Sequence, residues 1–149
     1  MIDQAKSDTI DRILERAANE KGDITQQVMS RYYSQHPQAK EHFKRHSQFS
    51  WNNLEGEMVE RSLYCFMYWA QSPGEIEFLL MGSVPHHADI LGIPPDFYQG
   101  LIDATAAVIE STIPEENEDE KHIWTEMYQE IHDMFLQGKR YVDTSRCKH

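Results

Sequence analysis

At 149 residues the chain is sized for one domain, with room for a real core and too little chain for two. A formal net charge of −11 excludes the basic stripe that a nucleic-acid surface needs, and no run approaches the roughly 20 apolar residues of a membrane span. Cys65 and Cys147 stand far apart with no framework spacing, so a reducing, cytoplasmic setting is expected. The opening MIDQAKSDTIDRILER is acidic and helical in pattern, and is not expected to act as a secretory signal.

The first expected helix is capped by Ser7 or Asp8, turns Ile10, Ile13, Leu14, Ala17 and Ala18 inward, and ends at Gly22. Asp23 caps a second helix through Ile24, Val28, Met29, Tyr32 and Tyr33. Pro37 cannot continue it but suits the first turn of a short helix, Gln38 to Phe43. Leu54, Met58, Ser62, Cys65, Phe66 and Trp69 then recur at helical spacing. Ser72-Pro73-Gly74 stops that helix, and a segment from Glu75 to Leu91 comes next, interrupted by Gly82 and Pro85. Gly92-Ile93-Pro94-Pro95 is a hard break before a long helix from Asp96 to about Ile113, which Pro114 ends. Carboxylates at 115, 116, 118, 119 and 120 read as the first turn of a last helix, where they complement the positive end of the dipole. That helix buries Ile123, Met127, Ile131, Met134 and Phe135 and runs to Gly138. The pattern predicts one all-α domain over 1–149, with its core at about 7–138 and a tail at 139–149.

Eight histidines in such a chain raise the question of a metal. A di-iron bundle needs Glu-x-x-His pairs on two helices, and there are none. His42 and His46 share a helical spacing, but a zinc site needs more ligands than these. Covalent haem attachment would require Cys-x-x-Cys-His, which is absent. The pair His86-His87 stands apart because it leads into His87-Ala-Asp-Ile-Leu-Gly-Ile93-Pro94, then Asp96-Phe97-Tyr98. A histidine six residues before such a break projects from a turn into the gap between helices. Taken alone, that suits a structural histidine as well as a ligand.

Together with the N-terminal half, the layout resembles the globin family over about Ile24 to Leu136. His36-Pro37 through Phe43 is similar to the globin B-to-C corner, which ends in a Phe that stacks on haem. His87 to Pro94 is similar in spacing to the run from the proximal histidine to the proline opening the G helix. Trp124-x-x-x-Tyr128 is similar to the last helix of bacterial globins and flavohaemoglobins. The resemblance implies a three-on-three helical sandwich around a pocket for haem b, its iron held by the imidazole of His87. It places Phe43 on the porphyrin and Arg45 near a propionate, with His86 either nearby or facing water. Ile93 and Tyr98 would border the haem on the proximal side. On the distal side Met58, Ser62, Cys65, Phe66 and Trp69 face inward, with Arg61 at the distal position and Cys65 over the iron. A shift of one turn would put Tyr64 there instead.

Two departures temper the implied chemistry. Met29 stands where many bacterial globins carry a ligand-holding tyrosine. Lys139 falls where flavohaemoglobins carry the glutamate that, with a tyrosine such as Tyr98, activates the proximal imidazole. No flavin or nicotinamide domain is expected in this chain. The implied function is reversible binding of oxygen, NO or CO for transport, scavenging or sensing. Nitric oxide dioxygenation would need a separate reductase, and a haem-free globin-fold signalling module is the alternative. Neither a membrane nor a nucleic acid is expected as partner, and the chain is expected to be a monomer or homodimer.

Overall fold

A computed structural model describes the backbone of residues 3–41, 51–80 and 95–147, and the side chains of 3–41, 55–80 and 99–137. The described elements are helical, with no strand among them: α1 (Gln4–Lys21), α2 (Thr25–Gln35), α3 (Trp51–Tyr68), α4 (Pro95–Glu110) and α5 (Glu118–Cys147). Short helical segments cover 39–41 and 73–80. Among the described residues, no helix is long and apolar enough to cross a membrane.

The cap of α1 is Asp3, four residues before Ser7, the earlier of the two expected caps. The Asp3 carboxylate accepts from the Lys6 N–H at 3.1 Å, while Ser7 is buried within the helix and accepts from Gln71 Nε2 at 2.9 Å. Ser7 continues the inward stripe of Ile10, Ile13 and Ala17, which rules it out as an exposed cap. Leu14 is half-buried beside that stripe and Ala18 is exposed. Gly22 ends α1 at φ 66°, a conformation that costs other residues a Cβ clash with the backbone. The cap position of α2 is Ile24 rather than the expected Asp23, whose carboxylate accepts from the Thr25 N–H at 2.9 Å. Hydrogen bonds from Thr25, its side chain first and its backbone second, hold the Asp23 pKa below the usual range.

Ser72 both closes one helix and opens the next. Its N–H donates to the Tyr68 carbonyl, and its own carbonyl accepts from the Ile76 N–H, with Pro73 in the first turn, where no N–H is needed. α4 ends at Glu110 in two tight turns, Thr112 N–H to Ile109 and Ile113 N–H to Glu110. Asn117 Oδ1 caps α5 by accepting from the Glu120 N–H. α5 does not stop at Gly138 but continues to Cys147. One glycine in a helix costs only about 1 kcal/mol relative to alanine, and the helix formers on both sides outweigh it.

The helices pack as α1 against α3 and α5, α2 against α3 and α4, and α4 against α3 and α5. Their inward faces share one apolar cluster: Ile10, Ile13 and Ala17; Val28, Met29 and Tyr32; Val59, Cys65, Phe66 and Trp69; Leu101, Ile102 and Ile109; Trp124, Met127 and Ile131. Phe66 meets Trp124 edge-on, with centroids 5.4 Å apart. Burying rings of this size contributes roughly 1.5–3 kcal/mol each. Trp124 rather than its neighbour Ile123 is the fully buried residue at the start of α5.

Candidate functional site

The inner face of α3 carries the described residues among those that the resemblance assigns to the distal side of a haem pocket. Its stripe is set by the helical repeat: Ser62, Cys65, Phe66 and Trp69 are buried and Met58 half-buried. The Ser62 hydroxyl donates to the Met58 carbonyl at 3.2 Å, so its polar atom is satisfied within the helix. Met29 and Val28 of α2 and Leu101 and Ile102 of α4 belong to the same cluster. Burial pushes the Cys65 thiol up to about 11, so at neutral pH it is a neutral, weakly polar group. Cys65 is part of the buried apolar cluster.

Arg61 and Cys65 sit one turn apart on α3 with different surroundings. Cys65 is buried and Arg61 exposed. Tyr64 is also exposed, and its hydroxyl donates to Glu75 at 2.8 Å, which raises its pKa. Phe43, Arg45, His86, His87 and Ile93 lie outside the described residues. Tyr98 lies on the backbone of α4, and its side chain is outside the described set, as is that of Lys139 on α5. Among the described residues, no three His, Cys, Asp or Glu side chains are grouped to hold a metal ion.

Two close crossings shape the interior around this face. At Gly100 of α4, a Cβ would lie 2.3 Å from His36 Nε2 and 3.1 Å from Tyr32 Cε2. A glycine there lets α2 and α4 approach each other. Where α2 meets α3, the Tyr33 hydroxyl donates to the buried Glu55 carboxylate at 2.7 Å. Burial first, and that carboxylate second, push the Tyr33 hydroxyl far above its ordinary pKa.

Sequence reasoning missed a polar network between α4 and α5. Asp103 accepts from the Tyr128 hydroxyl and from Gln99 Nε2, the latter at 2.7 Å. The Tyr128 and His132 rings lie 6.1 Å apart. Gln99 Oε1, His132 Nδ1 and Trp124 Nε1 are buried without a partner. The spacing Gln99 to Asp103 and Tyr128 to His132, each four residues, was the available signal. It placed polar residues in facing stripes that read only as helix surface.

α3 offers an apolar inner face, a small buried residue at Ser62 and a thiol that stays protonated. Set against protein-family models, curated proteins and solved structures, the chain has no match.

Proposed function

We propose that this chain is a haem-binding globin that reversibly binds a diatomic gas. The observation that carries the reading is the start of α4 at Pro95, which sets His87 eight positions ahead of a helix that packs on both α2 and α3. The apolar inner face of α3 supports it from the other side. Bound haem b would supply an iron able to take up a diatomic gas reversibly.

The chain's own residues would do the rest. His87 would hold the iron through its imidazole, Phe43 would stack on the porphyrin, and Ile93 and Tyr98 would exclude water beside them. Arg45 would pair with a propionate. Cys65 and Phe66 would keep the gas side dry, and Arg61, exposed on α3, would donate to an anion or a polar gas from the pocket mouth. With Lys139 at the position of an activating carboxylate, the imidazole would stay neutral, as suits a carrier, scavenger or sensor more than a peroxidase.

Reconstitution with haemin tests the reading. The expected result is one haem per chain, a sharp Soret band, and a shift of that band when the reduced protein is exposed to carbon monoxide. Protein that leaves haemin's spectrum unchanged would overturn it and favour the haem-free signalling module.

A further inference from the structure

α4 packs on α5, and a cleft of about 320 Å³ opens along their seam. On the α4 side Asp103, Ala106 and Glu110 follow the helical repeat and share one face, with Ala107 beside them. The two alanines leave the space. A carboxylate stands at each end of it, about 10.5 Å apart along the helix axis. The α5 side supplies the buried Trp124 and the half-buried Tyr128, one turn apart.

Asp103 is held in place rather than left to swing. Its Oδ1 accepts from Gln99 Nε2, at 2.7 Å, and from the Tyr128 hydroxyl, and neither bond engages Oδ2. Among the described residues neither Asp103 nor Glu110 has an ion-pair partner, and no Lys, Arg or His lines the cleft. The last turn of α4 carries no basic residue either, although positive charge is favoured at a helix C-terminus. Burial first, then Asp103 and last Glu110 raise the pKa of the Tyr128 hydroxyl, so both carboxylates act on the same part of the cleft.

We propose that this cleft binds a small alkyl diammonium, with one ammonium group on Asp103 and the other on Glu110. Two carboxylates without a counter-ion select a cation, and their separation selects one that is charged at both ends. The methylene chain between the charges lies over Ala106, Ala107 and the aromatic rings of Trp124 and Tyr128, whose quadrupoles add to the attraction. An open side suits such a ligand, because its ammonium groups keep part of their hydration while bound. Binding here is independent of haem.

Titrating the full chain at low salt with 1,5-diaminopentane and with n-pentylamine tests this. The diamine should shift the Ala106, Ala107 and Tyr128 resonances saturably and bind about three- to fivefold more tightly than the monoamine, the worth of one further exposed ion pair. Glu110→Gln, at an exposed position, should bring the diamine down to the monoamine's affinity and leave the monoamine nearly unchanged. Glu115→Gln, exposed but outside the cleft, should alter neither. The absence of saturable shifts at these three residues would overturn the proposal, as would equal binding of the two amines by the wild type. Equal weakening of the diamine by Glu110→Gln and Glu115→Gln would also overturn it, since the ligand would then be answering only to net charge.

Discussion

Arg16 on α1 holds Glu120 on α5 through two parallel hydrogen bonds of 2.6 and 2.7 Å, across 104 positions of sequence. The Glu120 side chain is 3 % exposed and that of Arg16 27 %, so the pair is buried at its acidic end. Arg16→Met would strand a carboxylate in the core and is expected to cost about 3 kcal/mol. Glu120→Gln, which keeps an acceptor for Asn117 Nδ2, is expected to cost about 1 kcal/mol. Arg16 holds the Glu120 carboxyl below its usual range. The pair's contribution is therefore present above the unfolded carboxyl's value near 4.5, and is lost as pH falls through the lower folded value. Denaturant titrations from about pH 3 to 7 should show the gap between wild type and Arg16→Met closing toward acid.

Gly100→Ala should destabilise the protein although alanine is the better helix former by about 1 kcal/mol. The added methyl would overlap the His36 imidazole, and displacing that ring is expected to outweigh the propensity gain, for a net loss of about 1–2 kcal/mol. A double-mutant cycle checks the cause. In a His36→Ala background the same substitution should become neutral or stabilising.

Much of this architecture is legible in the sequence, because glycines, prolines and apolar spacing act locally. Gly22, Pro73 and Pro95 mark real helix boundaries, and the stripe from Met58 to Trp69 is the inner face of α3. The errors have local causes too. Ser7 looks like a cap only if one ignores that it extends the Ile10–Ala17 stripe, and Gly138 looks like a stop only if its single-residue cost is overestimated. The Arg16–Glu120 clasp and the Gln99–Asp103–Tyr128 network were not legible, since each depends on which helices meet. The acidic run leading into the first turn of α5 reads as solvated capping charge, which holds for Glu118 and Asp119 but not for the buried Glu120.

Three tyrosines should resist alkaline titration. Burial pushes the hydroxyls of Tyr32, Tyr33 and Tyr128 well above their ordinary values, with Glu55 adding at Tyr33 and Asp103 at Tyr128. Folded values above the unfolded value of about 10 give a contribution that is complete below pH 10 and lost as pH rises through the folded values. Of seven tyrosines, these three should lack tyrosinate absorbance at about pH 11 while circular dichroism remains native. A full tyrosinate signal from folded protein at that pH would contradict the burial.

On the proposed haem reading, Arg61 and Tyr64 make opposite predictions. With Arg61 as donor, Arg61→Leu should weaken azide and fluoride binding to the ferric protein about tenfold. Tyr64, already committed to Glu75, should leave both affinities nearly unchanged when replaced by phenylalanine. The reverse pattern would move the registration of α3 by one turn.

Paired haemin titrations of His87→Ala and His86→Ala test most directly whether His87 holds the iron. His86→Ala is expected to keep the wild-type Soret band, while His87→Ala loses haem or holds it weakly, with added imidazole partly restoring the spectrum. A normal Soret band in His87→Ala together with its loss in His86→Ala would contradict the assignment.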